Sequence, residues 1–203
     1  CEMAAFYADQ GKNLVDVLNE LYAKYGYHLC TQKSFAFEGE AGMENMNAIM
    51  QSLRENPRVV NWEGTDVRSI APEQLEQPAD FFSVDVSFIS LHHVLPYVLP
   101  LLKPDAAGAI LIKPQFEAGR ENIGKNGLVQ SQRVHVQVLG NILTLLSALG
   151  LTVQLLCPSP IRGGSGNVEY LAAVQKGGET AYVPDAAAVV QQAFTQAKKE
   201  KTK

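Results

Sequence analysis

Residues 109–117 read AILIKPQFE, and they decide the fold. Ala109 to Ile112 form a short apolar run, which Lys113-Pro114 ends with a charge and a chain break. A buried strand of a parallel sheet has this form: apolar throughout, and interrupted where the backbone leaves the sheet. Open α/β sheets bind their ligands at the carboxyl ends of the strands. Lys113 therefore stands where chemistry would take place, although a lysine snorkelling at a strand end has the same local sequence.

Working outward, the same alternation recurs on both sides. Val59, Val60 and Trp62 read as a short strand, left through Glu63–Asp66, and Pro72–Leu75 as a brief helical turn. Phe81–Val84 reads as a strand with Asp85 near its carboxyl end, followed by an apolar helix over Val94–Leu102 that Pro96 and Pro100 bound or kink. Lys103–Gly108 is the expected turn into the central strand. Ser131–Leu149 carries the spacing of an amphipathic helix closed by Gly150. Leu151–Cys157 is the next strand, Pro158–Gly166 a loop, and Asn167–Val174 the last strand. This alternation predicts an α/β domain with a mostly parallel, doubly wound sheet. The loop before the last strand is too short for a helical crossover, so that strand is expected to run antiparallel to its predecessor. Its start then shares a sheet edge with the ends of the parallel strands. That geometry places Glu169 in the same crevice as Asp85 and Lys113, unless the three merely stabilise the edge as an ion-pair network.

The bulk properties narrow the class. The chain has 203 residues, 46% of them hydrophobic and 19% charged, which suits a globular protein with a real core. A net charge of −4 argues against broad nonspecific binding to nucleic acid, while leaving room for a local basic face. Cys1, Cys30 and Cys157 are widely spaced and show no metal-ligand spacing, as expected for reduced, buried thiols in a cytosolic protein. No apolar run approaches a membrane span. The opening Cys-Glu-Met lies inside a helical pattern, so the true amino terminus is expected elsewhere.

Residues 1–57 have a different character. Met3, Phe6, Tyr7, Leu14, Val17, Leu18 and Leu21 give helical spacing, broken at Gly11 and closed by Gly26. Tyr27–Phe37 is extended, and Glu40–Glu55 is helical up to Asn56-Pro57. The wording of CEMAAFYADQGKNLVDVLNELYAKYGYH and FAFEGEAGMENMNAIMQSLRENP resembles the late part of the phosphoglucomutase/phosphomannomutase family. The loops that carry that family's phosphoserine, magnesium, sugar and phosphate sites are not among these residues, so the resemblance implies a fragment without mutase chemistry.

A second resemblance covers about Arg58 to Gln175. DVSFISLHHVLPYVLPLLKP, LIKPQFEAGRENIGKNGLV and PSPIRGGSGNVEYLA are similar to the TlyA group of FtsJ-type RNA methyltransferases. The resemblance implies a Rossmann-like methyltransferase fold with one antiparallel strand. It also implies S-adenosylmethionine-dependent methylation of ribose 2′-hydroxyls in ribosomal RNA through a Lys-Asp-Lys-Glu tetrad. Asp85, Lys113 and Glu169 match its last three members. The chemistry suits them, because a ribose hydroxyl is a poor nucleophile that needs in-line approach and a positioned acceptor for its proton. A lysine held uncharged serves as that acceptor, with carboxylates orienting it. By the same resemblance Asp85 also borders the cofactor, and Asp66 is the candidate for its adenosine part. The expected partner is ribosomal RNA or a ribosomal subunit, with neither membrane nor metal.

The family's glycine-rich cofactor motif, its first strands and its first tetrad lysine should all precede Arg58, where the mutase-like segment stands. The switch falls within Leu53–Arg58, through the shared wording LRENP. Three parts are thus expected: a mutase-like fragment over 1–57, a methyltransferase-like core over 58–176, and a helix with a basic tail over 177–203. Such a joining of two fragments predicts a recognisable site whose cofactor binding is weak or lost. The alternatives are a non-catalytic RNA-binding remnant and a phosphohexomutase fragment.

The remaining motifs are less specific. Gly119–Asn126, GRENIGKN, nearly matches a phosphate loop, but Asn126 replaces the hydroxyl that would hold magnesium. Its Arg120 and Lys125, with Arg133, either meet RNA phosphates or are solvated. His92, His93 and His135 lack ligand spacing and read as surface or helix-packing residues. Gly163–Gly166 is expected to be a flexible turn or a substrate lid, Asp185–Ala197 an amphipathic helix, and Lys198–Lys203 a frayed basic tail, solvated rather than RNA-binding.

Overall fold

A computed structural model of the chain describes residues 48–49, 51–163, 166–179 and 182–200, the last five by backbone alone. The expectations for residues 1–47, including most of the mutase-like segment, lie outside the described residues. The chain divides into two compact units, Cys1–Trp62 and Glu63–Lys203. In the first, a helix runs to residue 55.

The second unit is built on a four-stranded sheet: β1 (Ala79–Val84), β2 (Leu102–Ile112), β3 (Leu151–Pro158) and β4 (Tyr170–Lys176), in the order β1-β2-β4-β3. β1 and β2 are parallel, and β4 lies antiparallel between β2 and β3. The three strands that precede β4 thus point the same way, and the last runs against them, as its short connection requires. Ile110 and Ile112 of β2 are fully buried, as are Tyr170 and Ala172 of β4. The apolar positions alternate in both interior strands as the pleat demands. In β3 the pattern slips, because a bulge between Val153 and Leu155 leaves Gln154 and Leu155 both exposed before Leu156 turns inward.

Two long helices complete the core. α1 (Gln132–Ala148) buries His135, Val138, Leu139, Ile142 and Leu146, one stripe at helical spacing. The chain turns out of it at Gly150, whose φ of 69° favours glycine. α2 (Ala186–Glu200) inserts Val189, Val190 and Ala193. The Asp185 carboxylate accepts from the Ala187 and Ala188 N–H groups at 2.9 and 3.0 Å, satisfying two donors at its amino end.

Several sequence expectations are corrected. Val59, Val60 and Trp62 form no strand; Val60 is 78% exposed, and no strand among the described residues pairs with the triplet to turn its β-propensity into a ladder. The apolar stretch expected as one helix over Val94–Leu102 is three pieces: 3₁₀ turns at Leu91–His93 and Leu99–Leu101 around a short helix at Leu95–Val98. Pro96 and Pro100 each sit in a first turn, where a missing N–H is tolerated, and each prevents continuation from the preceding turn. Lys176 Nζ donates to the carbonyls of Leu99 and Leu102 at 2.9 and 3.0 Å, satisfying acceptors where the helical run ends. Residues 103–108, expected as a turn, already belong to β2, with a register shift against β1 between Ala79 and Phe81. The last strand begins at Tyr170, so Glu169 immediately precedes it.

Candidate functional site

The sheet topology assembles the site. Asp85 follows the last residue of β1, Lys113 follows the last residue of β2, and Glu169 precedes the first residue of β4. Ile112 pairs with Tyr170, so Lys113 and Glu169 are the next positions beyond the same ladder rung. All three reach one edge, the edge where strand carboxyl ends gather.

Lys113 Nζ lies 2.5 Å from Asp85 Oδ1 and 3.3 Å from Ser87 Oγ. The lysine side chain is 13% exposed, whereas the Asp85 side chain is 67% exposed. The amine is therefore packed into the edge, and its partner faces solvent. Glu169 is buried and accepts a 2.8 Å hydrogen bond from Gln115 Nε2. Its main-chain carbonyl takes the Ser159 N–H at 2.9 Å, which ties it to the loop after β3. A Cβ at Gly163 would lie 2.6 Å from Glu169 Oε1, so that loop closes on the carboxylate as tightly as a glycine permits. Gln115 Oε1 is buried with no hydrogen-bond partner. A carboxylate accepts only, so Glu169 fixes the amide with its nitrogen inward and leaves the oxygen unsatisfied, at a cost of about 1–3 kcal/mol.

The segment from Asp85 to Leu91 carries a second feature. Phe88 has a φ of 62° and is 91% exposed, although its ring lies 5.0 Å from that of Phe116. A left-handed backbone at a bulky residue costs about 1–2 kcal/mol and persists only where neighbouring contacts impose it. Those contacts come from the turn Pro114–Glu117. Glu117 accepts from Ser90 Oγ at 2.6 Å and from the Leu91 N–H at 2.8 Å.

Behind the edge lies a buried polar network. His135 Nε2 donates to the Val129 carbonyl at 2.9 Å, which leaves Nδ1 to accept from the Tyr170 hydroxyl at 2.8 Å. Burial holds the imidazole below its ordinary pKa and pushes the Tyr170 phenol up. Asn167 takes the Val129 N–H and donates to the Gly127 carbonyl, joining the 119–129 loop to the approach to β4. His135 is thus a packing histidine, as its lack of ligand spacing predicts, with its ring edge-on to Phe194 at 5.1 Å. Arg120, Lys125 and Arg133 are exposed. Gly164 and Ser165 lie outside the described residues.

Among the described residues, Asp66 makes its hydrogen bonds and ion pair with Arg68 and not with the cluster. Its carboxylate caps the 3₁₀ turn Val67–Ser69 and takes four bonds from the Arg68 backbone and guanidinium, at 2.6 to 3.1 Å. Those side-chain and backbone bonds hold its pKa down to about 2. Among the described residues, no group of His, Cys, Asp and Glu could hold a metal ion, and no helix is long and apolar enough to cross a membrane.

Reading the sequence missed Gln115, Glu117 and Phe88 as parts of the site. All three lie within the quoted motifs, two of them in AILIKPQFE itself, but their contacts cross between elements.

Comparison with known proteins gives a consistent picture. Residues 42–176 match the FtsJ-like methyltransferase family, a span that begins inside the mutase-like wording. The chain is 38% identical over 155 residues to the "Putative rRNA methyltransferase YqxC" of Bacillus subtilis, covering 76% of this chain and 55% of that protein. It is 38% identical over 119 residues to the "16S/23S rRNA (cytidine-2'-O)-methyltransferase TlyA" of Mycobacterium tuberculosis, covering 59% and 44%. A solved structure titled "Putative hemolysin from Streptococcus thermophilus" superposes with a TM-score of 0.71 at 37% identity, over 75% of this chain and 56% of that one. The chain spans about half the length of the curated relatives it matches.

Proposed function

We infer the function from the family: the chain belongs to the FtsJ-like methyltransferases, and we read its strand-end cluster as the proton-handling half of a ribose 2′-O-methylation site acting on ribosomal RNA. The observation that carries this reading is the packed lysine, Lys113, held by an exposed carboxylate, Asp85, with Glu169 at the next rung. S-adenosylmethionine, when bound, supplies an electrophilic methyl group. Lys113 takes the proton of the attacking 2′-hydroxyl. Asp85 fixes where Nζ sits, and Glu169, anchored by Gln115, supplies negative charge across the strand pair. Phe88 offers an exposed aromatic face on which a base of the RNA can stack. RNA named in the relatives' titles makes a cytoplasmic ribosomal substrate the natural target.

The described residues fit the cofactor only at its reactive end. Asp85, exposed at the strand terminus, suits its amino group. Asp66, saturated by Arg68, does not suit its ribose hydroxyls. No glycine-rich cradle occurs before Arg58 in the sequence. Weak cofactor binding is what this reading expects of the chain.

The test has two arms. Calorimetric titration with S-adenosylmethionine should give no binding at micromolar ligand; ordinary affinity would overturn the weak-cofactor reading. Transfer of labelled methyl to ribosomal subunits, measured at high cofactor concentration, should fall about a hundredfold or more in Lys113→Ala, with RNA binding unchanged. Equal transfer by the variant would remove Lys113 from the chemistry.

A further inference from the structure

We propose that Glu117 is a positioning residue. From the turn after Lys113 it grips the segment Asp85–Leu91, and so holds Asp85 and Phe88 in register with the lysine. The inference rests on the methyltransferase reading for its consequence in turnover, but the grip itself is independent of it.

Two segments run beside each other here and are fastened at three points. At one end Lys113 Nζ meets Asp85 and Ser87. In the middle the Phe116 and Phe88 rings pack at 5.0 Å. At the far end Glu117 takes Ser90 Oγ on Oε2 and the Leu91 N–H on Oε1. Lys113 and Asp85 each stand just past the paired strands β1 and β2, so the sheet brings them to one edge and the contacts between the two segments hold them there.

The far fastening ties the segment at two atoms, Ser90 Oγ and the Leu91 N–H. A carboxylate accepts on both oxygens, and charge-assisted bonds are about twice as strong as neutral ones. The Leu91 N–H opens the 3₁₀ turn Leu91–His93, where an anion is favoured. Ser90 works in both directions, donating to Glu117 and accepting the His92 N–H at 3.2 Å. Leu91 is 1% exposed, so the carboxylate pins a segment that the core already holds from beneath. Between this pin and the lysine lies Phe88, in a conformation that an unheld loop would relax. The strain is retained because both sides of it are tied, and its product is an aromatic ring turned outward beside the amine.

Amide hydrogen exchange on the whole chain tests the grip. Glu117→Ala should raise exchange at Leu91 roughly ten- to a hundredfold while the β2–β4 ladder keeps its protection. Glu117→Gln keeps one acceptor for that N–H and should restore most of the protection. Should Glu117→Ala fail to fold, Ser90→Ala removes one of the two bonds and should give a smaller rise at the same amide. In methyl transfer to ribosomal subunits, Glu117→Ala should lower kcat about tenfold with KM for cofactor within about twofold, and Glu117→Gln should recover it. Unchanged Leu91 exchange in Glu117→Ala would overturn the proposal. So would a uniform loss across the ladder that Glu117→Gln does not repair. A wild-type chain that transfers no methyl group would sink the functional reading, while the exchange data would still decide the grip.

Discussion

Gly108→Ala is the sharpest test of how the sheet sets the site. Gly108 is the β2 partner of Phe82 on β1, two pairs before their ladder ends at Val84 and Ile110. A Cβ at position 108 would lie 2.2, 2.3 and 2.6 Å from three carbons of the Phe82 ring. The ring would have to retreat by more than an ångström to reach ordinary contact, yet Phe82 is 8% exposed and belongs to the core. Overpacking of this kind costs about 1–3 kcal/mol, and alanine returns about 0.5–1 kcal/mol through its lower chain entropy. The net loss is about 1–2 kcal/mol, or a Tm lower by roughly 3–6 °C for a unit of this size. Thermal melts of Gly108→Ala, Phe82→Leu and the double variant give the coupling directly. The double variant should be more stable than the sum of the two losses, because leucine vacates the space the methyl group needs. Additive losses, or a Gly108→Ala chain that melts no lower than the parent, would refute the close approach. They would also remove the device that sets β1 against β2 and brings Asp85 to Lys113.

Two further outcomes follow from the site and its support. Burial holds His135 below its ordinary pKa, so the unfolded chain binds this proton more readily than the folded one. Its contribution is present above about pH 6.5 and is lost as the pH falls below that value. Melts between pH 7.5 and 5 should show a decline that His135→Phe reduces; an identical decline in the variant would assign it elsewhere. Gly163→Ala would press a methyl group onto the end of the Glu169 side chain rather than onto backbone. It should change stability by less than about 0.5 kcal/mol while lowering methyl transfer several-fold. A large fall in Tm with unchanged transfer would deny Glu169 a part in the reaction.

Much of this protein was legible in its sequence because the relevant physics is local or periodic. The apolar run Ala109–Ile112 stops at a lysine, the stripe of α1 has helical spacing, and the short loop after β3 forces β4 to turn back. From those alone, Asp85, Lys113 and Glu169 fall at one sheet edge, and the wording of the motifs names the family. The failures are equally physical. Val59–Trp62 has the composition of a strand, but a strand exists only where a neighbour completes its hydrogen bonds. Asp66 has the chemistry of a ligand, and nothing in the sequence marked Arg68, two residues away, as the group that would pair with it. Tertiary structure alone decided which carboxylate Lys113 meets, that Gln115 takes Glu169 with an oxygen left unsatisfied, and that Glu117 reaches Ser90 and Leu91. Periodicity reports which face of an element is buried. The partner met across some 26 or 54 positions of chain depends on where the sheet places the elements, and a local pattern does not encode that.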